Sequence, residues 1–64
     1  MDNKKYPAVY RQIQEYYTLI AKMDGNLPED YAERRTRNAY RIACSHIREG
    51  KYTEEQIIAC YPLD

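Results

Sequence analysis

The sequence predicts an all-α fold, a small three-helix domain with an antiparallel helix pair and a short C-terminal helix. Three observations predict it: apolar residues recur every three or four positions, proline and glycine bound these stretches, and no run alternates with the period of a strand. A chain of 64 residues buries only about 60% of its unfolded surface. We therefore expect one domain over residues 1–64, with dimerisation completing a thin core.

The first predicted helix covers residues 7–23. Pro7 suits a first helical turn, and the apolar positions that follow it lie on one face. These positions are Val9, Ile13, Tyr16, Ile20 and Met23. Gly25 follows the helix and can adopt the left-handed conformation that often ends one.

The second predicted helix covers residues 28–49. Pro28 and the acidic pair that follows it favour a helix start, and Gly50 favours a helix end. One face carries an apolar band that alanines make narrow: Tyr31, Ala32, Ala39, Ile42, Ala43, His46 and Ile47. Because alanines permit close packing, the band predicts a central helix, and it also suits a subunit contact.

The third predicted helix covers residues 53–61 and has the clearest local signal. Thr53 and Gln56 have the spacing of a capping box, in which each side chain bonds the backbone N–H of the other residue. Tyr52 and Ile57 occupy the positions of a hydrophobic staple. Pro62 ends the helix because the residue before a proline is displaced from helical geometry.

Tyrosine supplies every aromatic ring of this protein: there are eight tyrosines, no tryptophan and no phenylalanine. One interpretation is that most of them line a small core with their hydroxyls at the surface. The other is a binding surface, because tyrosine is favoured at interfaces. With so few aliphatic residues, we expect two or three tyrosines on an exposed face or a subunit interface.

Arginines cluster on the second predicted helix. Arg34, Arg37, Arg41 and Arg48 fall within roughly 60° of one another, opposite the apolar band. Such a stripe can bind carboxylates or phosphates in bidentate fashion, and Tyr40 beside it can add stacking. The predicted partner-binding residues are therefore Arg34, Arg37, Tyr40, Arg41 and Arg48.

A solvated helix face is the alternative interpretation of this stripe. Asp30 precedes Arg34 by four residues and Glu33 precedes Arg37 by four, which is the favourable order for ion pairs within a helix. Arg41 and Arg48 have no acidic residue three or four positions before them. Arg35 points towards the edge of the apolar band and needs a partner on another helix or another subunit.

Catalytic, cofactor-binding and metal-binding residues are not predicted. The single histidine, His46, is two positions from Cys44, which on a helix separates the two side chains by about 200°. They cannot act together as nucleophile and base, and one histidine with two cysteines falls short of the four ligands of a structural zinc. We expect no enzyme, and we expect Cys44 and Cys60 to be free thiols in a reducing compartment.

Charge and hydropathy bear on partners and location. Ten basic and ten acidic side chains cancel, so no global field attracts nucleic acid or an anionic membrane. No apolar run approaches the roughly 18 residues of a membrane span, and no apolar stretch follows the lysines near the N-terminus. We therefore expect a cytoplasmic protein without a membrane partner.

The segment from Thr53 to Pro62 resembles a signature of small antitoxin-like bacterial domains, in which a Ser- or Thr-capped Glu-Glu-Ile-Leu helix ends in Tyr-Pro. In that family another helix follows the Tyr-Pro turn, and the arginine-rich helix is not part of the pattern. The resemblance covers ten residues and implies no role for any of them.

These observations lead to two expected functions. The first is a non-enzymatic protein-binding module, a small homodimeric regulator or inhibitor of a larger complex such as a phage or mobile element encodes, because arginine and tyrosine are favoured interface anchors. The second is a nucleic-acid-binding protein that uses the arginine stripe. Its affinity would fall steeply with salt.

Overall fold

Three helices form the protein in the computed structural model, which describes residues 5–63. They are α1 (Pro7–Met23), α2 (Tyr31–Arg48) and α3 (Glu54–Ala59). Residues 5–63 contain no strand, and the predicted all-α, three-helix fold is confirmed.

The two long helices are antiparallel, as predicted. Tyr10 near the start of α1 lies edge-on to Tyr40 in α2, with ring centroids 5.1 Å apart. Tyr17, further along α1, lies 6.1 Å from Tyr31 at the start of α2. Because residues later in α1 meet residues earlier in α2, the helices run in opposite directions.

The short helix α3 packs mainly on α1. Tyr61, just after α3, lies edge-on to Tyr16 with ring centroids 5.2 Å apart. The amide of Gln12 donates a 2.7 Å hydrogen bond to the Tyr61 carbonyl oxygen. Ile57 is the α3 residue that enters the core. The helix α1 is therefore covered on one side by α2 and on another by α3.

A small core joins the three helices. Its buried apolar residues are Val9, Ile13, Ala43 and Ile57. Half-buried side chains surround them, namely Tyr6, Tyr17, Ala39, Tyr40, Ile47, Ile58 and Tyr61. Seven of the eight tyrosines are half-buried and only Tyr52 is exposed. The tyrosines therefore act mainly as the outer layer of the core, and one of them, rather than two or three, lies on an exposed face. The expectation that others lie at a subunit interface stays a prediction.

Two residues predicted on the apolar faces are exposed to solvent. Met23, the last residue of α1, is 83% exposed, and Ile42 of α2 is 57% exposed. Consecutive helical residues are about 100° apart, so the orientation that buries Ala43 against α1 turns Ile42 away from it. Thr36, which lies on the same face as Ala43, is fully buried instead.

The helix ends follow the local sequence, with two differences from expectation. Gly50 has a φ of 78°, the left-handed conformation predicted for it, whereas Gly25 does not have a positive φ. Asp24 ends α1 with an extended backbone, and its carboxylate accepts a 3.1 Å hydrogen bond from the Asn26 N–H. This side-chain bond forms the turn that the left-handed glycine was expected to supply.

The second and third helices are shorter than predicted. Before α2, the Tyr31 N–H donates to the Pro28 carbonyl oxygen at 3.1 Å, so the segment from Pro28 forms a separate turn and α2 begins at Tyr31. After α3, Cys60 and Tyr61 donate to carbonyls three residues earlier, a tighter turn that extends the helix without continuing its hydrogen-bond pattern. The capping box of Thr53 and Gln56 is confirmed.

Candidate interaction groove

A groove of about 1070 Å³ runs between α1 and α2. We call it the α1–α2 groove. Its lining residues come from the segment before α1, from α1 and from α2 with the turn before it: Lys5, Tyr10, Gln14, Thr18, Glu29, Ala32, Glu33, Arg37, Tyr40, Arg41, Cys44, Ser45 and Arg48. None of them belongs to α3, which packs elsewhere on α1.

Four of the five predicted partner-binding residues line this groove. They are Arg37, Tyr40, Arg41 and Arg48. Arg34 lies apart from them, in a smaller hollow with Asp30, Tyr31 and Arg35. The structure therefore divides the predicted arginine stripe into a larger part in the groove and one arginine outside it.

The ion pairs predicted within α2 are present. Arg37 Nη2 lies 3.0 Å from Glu33 Oε1, and Arg34 Nη1 lies 4.0 Å from Asp30 Oδ2. Both pairs are exposed, where such interactions contribute little to stability. Within residues 5–63, Arg41 and Arg48 have no carboxylate within 4.0 Å. These two guanidinium groups are available to an external anion.

Tyr40 connects the two helices as well as lining the groove. Its hydroxyl oxygen accepts a 3.1 Å hydrogen bond from the Tyr6 N–H, at the start of α1. Burial raises the pKa of Tyr40 above its ordinary value, and the neighbouring Cys44 thiol raises it further, while the Tyr6 N–H lowers it. Tyr40 therefore holds the start of α1 against α2, and its replacement would disturb the fold.

Several groove residues were not predicted as part of a site. Lys5, Tyr10, Gln14 and Thr18 stand opposite the arginines only because α1 packs against α2. The steps of four that join Tyr10, Gln14 and Thr18 show that they share a side of α1. No pattern within α1 shows that this side faces the arginines, so the sequence offered no signal for the pairing.

Arg35 contacts Tyr31, a residue of its own helix. Its guanidinium carbon lies 5.5 Å from the centroid of the Tyr31 ring, a cation–π contact, rather than beside a carboxylate of another helix. Such a contact at an exposed site contributes about 0.5–1 kcal/mol. Arg35 therefore does not require a second subunit, although its charge remains accessible.

His46 and Cys44, the histidine and cysteine considered as a catalytic or metal-binding pair, have different neighbours. His46 lies edge-on to Tyr52, with ring centroids 5.2 Å apart, and Cys44 faces the groove. Residues 5–63 contain no group of three His, Cys, Asp or Glu side chains able to hold a metal ion. Over the same residues, no helix is both long and apolar enough to cross a membrane.

Comparison with protein-family models, with curated proteins and with solved structures finds no match for this chain. The likeness of residues 53–62 to antitoxin-like domains therefore rests on those ten residues alone. The groove and its charges are the observations from which a function can be inferred.

Proposed function

We propose that this chain is a non-enzymatic, cytoplasmic protein-binding module that regulates or inhibits a larger complex and binds it through the α1–α2 groove. The observation that carries the proposal is the pair Arg41 and Arg48, two arginines in the same groove that have no carboxylate partner among residues 5–63. Arginine is favoured at binding surfaces because its planar guanidinium forms two parallel hydrogen bonds with a carboxylate.

The surroundings of the two arginines support the proposal. Tyr40 and Cys44 form a half-buried surface beside them, and the ring of Tyr10 packs against Tyr40. Aromatic surface next to available guanidinium groups is typical of interface anchors. The Tyr6 and Tyr10 contacts hold Tyr40 in place, so this surface exists before a partner binds and little conformational entropy is lost on binding.

The proposal is tested by affinity purification of the tagged protein from its native host, with nuclease treatment. An Arg41→Ala, Arg48→Ala variant is compared with wild type and with an Arg11→Ala, Lys22→Ala variant, which loses the same charge from exposed positions of α1 outside the groove. We expect a stoichiometric protein partner with wild type and with the control, and its loss with the groove variant. Equal recovery with all three would contradict binding through the groove.

Nucleic-acid binding is the second candidate, and one observation favours it. Lys5, Arg37, Arg41 and Arg48 line a single groove, so four cations are concentrated there on a protein without net charge. This function predicts that affinity for single-stranded RNA falls steeply as salt increases. A flat salt response in a gel-shift titration, or no shift at low salt, would remove this candidate.

We also propose that the protein forms a homodimer. The subunit contact uses a face of α2 other than the alanine-lined apolar band. The alanine band now packs on α1, since Ala43 is buried in the core and Ala39 is packed against it. Ile42 remains exposed, and Arg35 and Glu49 lie within roughly 40° of it around the helix. This Ile42 face has no intramolecular partner helix within residues 5–63.

Charge complementarity supports pairing of two Ile42 faces. Arg35 precedes Ile42 by seven residues and Glu49 follows it by seven. In an antiparallel pair with a twofold axis at Ile42, Arg35 of each copy therefore meets Glu49 of the other. Sedimentation of wild type should show a dimer, and an Ile42→Glu variant should be monomeric because two carboxylates would face each other at the axis. A wild-type monomer at all concentrations would exclude the dimer.

A further inference from the structure

Arg41 and Arg48, the two groove arginines without a carboxylate partner in the described part of the chain, have a defined spacing. Arg41 and Arg48 are seven residues apart in α2, which places them on the same side of the helix and about 10 Å apart along its axis. Two carboxylates seven residues apart on another helix have the same spacing. A helix laid along the groove could therefore present one carboxylate to each arginine.

The surface between the two arginines is less polar. Cys44 lies three residues after Arg41 and four before Arg48, and it lines the groove half-buried beside Tyr40. A side chain midway between the partner's two carboxylates would meet this thiol and ring. An apolar residue fits that position, because burying an unpaired polar side chain against the thiol and the ring costs free energy.

The two ends of the groove differ in charge. Arg41, Arg48 and Lys5 lie where the start of α1 meets the later half of α2. At the other end are Glu29 and Glu33, and Glu33 already neutralises Arg37. A uniformly anionic strand along the groove would meet these carboxylates, whereas a helix with acidic residues in one half would not. The charge pattern thus favours a protein segment over a nucleic acid.

The shape of the groove also fits a helix. The lining residues of α2 run from Ala32 to Arg48, sixteen helical steps or about 24 Å, which is the length of a helix of about 16 residues. A groove between two packed helices is a common docking site for an amphipathic helix.

We infer that the α1–α2 groove binds an amphipathic helix of a partner protein, with two carboxylates seven residues apart facing Arg41 and Arg48 and an apolar residue between them. The inference rests on the proposed protein-binding function and specifies the chemistry of its partner.

The test uses synthetic helical peptides of about 16 residues, the length of the groove. One has two glutamates seven positions apart with leucine between them, and the other has lysine in place of both glutamates. Binding to the full chain is measured by fluorescence anisotropy, with single-stranded RNA as a third probe. We expect binding of the glutamate peptide that weakens as salt increases, and no binding of the lysine peptide.

Two double variants test whether the glutamate peptide binds in the α1–α2 groove. The Arg41→Ala, Arg48→Ala variant should lose affinity for the glutamate peptide about tenfold, since two charge-assisted contacts are removed. The Arg11→Ala, Lys22→Ala variant should bind as wild type does, and circular dichroism checks that both fold. Absence of glutamate-peptide binding, equal binding of both peptides, an unchanged affinity in the groove variant, or tighter binding of RNA would each overturn the inference.

Failure of the inference and failure of the proposed function give different results. If the host extract yields a protein partner that needs Arg41 and Arg48 but the glutamate peptide does not bind, the function stands and the helical partner is wrong. If the extract yields no protein partner, the function itself is wrong.

Discussion

Thr36 is a polar residue placed where an apolar one would be expected. Its side chain is fully buried, and within residues 5–63 its Oγ1 has no hydrogen-bonding partner. A buried hydroxyl without a partner costs about 1–3 kcal/mol, because it has lost its water without replacement. Thr36 falls at helical spacing from Ala32, Ala39 and Ala43, so the sequence contained a signal for its position on the packed face.

Replacing Thr36 with valine should therefore stabilise the protein. Valine keeps the shape of the side chain and removes the hydroxyl, so the free energy of unfolding should rise by about 1 kcal/mol in urea titrations. Thr36→Ser is the control: it keeps the hydroxyl, removes a buried methyl and should be destabilising. A destabilised valine variant would mean that the hydroxyl is satisfied in solution.

Tyr61 shows how burial of a tyrosine links stability to pH. Burial raises the pKa of Tyr61 above the ordinary value of 10.0, and the nearby Tyr17 and Cys60 raise it further. A raised pKa in the folded state means that the neutral phenol is favoured by folding. Its contribution is complete below the unfolded pKa of 10.0 and is lost as pH rises through the higher folded value.

We accordingly expect the free energy of unfolding to fall in alkaline solution as pH rises above 10.0. Denaturant titrations at a series of pH values measure this decrease. A Tyr61→Phe variant cannot ionise at this position and should lose less stability over the same interval. If the variant and wild type lost stability equally, Tyr61 would not contribute to the pH dependence.

Among the elements, α3 has the best-defined start. The Thr53 side chain accepts a 3.1 Å hydrogen bond from the Gln56 N–H, and the Gln56 side chain accepts a 2.9 Å bond from the Thr53 N–H. Both bonds join residues three apart, so local sequence is enough to define them. The end of α1 was less well defined by local sequence. An Asp24 side-chain hydrogen bond forms the turn in place of the expected left-handed Gly25, and the same Asp-Gly-Asn sequence is compatible with either conformation.

Removing the cap should weaken α3 and its contact with α1. Thr53→Ala leaves the Gln56 N–H without its acceptor and should reduce the free energy of unfolding by about 1 kcal/mol, measured by urea denaturation. A Glu55→Ala change in the same exposed turn retains both capping bonds and should have a smaller effect. Equal losses in the two variants would show that the capping box contributes little.

At the scale of the whole molecule, stability depends on few buried side chains. Ile57 is the residue of α3 that is buried in the core, only 7% exposed, while Ile42 of α2 is 57% exposed. The two isoleucines are chemically identical and both lie at helical positions, so their different burial follows from helix packing alone. They form a matched pair for measuring what the three-helix core contributes.

Ile57→Ala should reduce the free energy of unfolding by about 3 kcal/mol, a large fraction of the stability of so small a domain. Ile42→Ala should change it by less than about 0.5 kcal/mol at concentrations where the chain is monomeric. Thermal and urea unfolding of both variants provide the comparison. A larger effect at Ile42 than at Ile57 would contradict the arrangement of the core.

The sequence by itself determined three helices, the capping box of α3 and the ion pair of Glu33 with Arg37, because each depends on residues three or four positions apart. The tertiary structure alone decided that Ile42 and Met23 are exposed and which side of α1 faces the arginines. Helical periodicity defines an apolar side only to within a wide angle. The final orientation of each helix depends on how its neighbours pack, and this brought Lys5 and Tyr10 into one groove with Arg41 and Arg48.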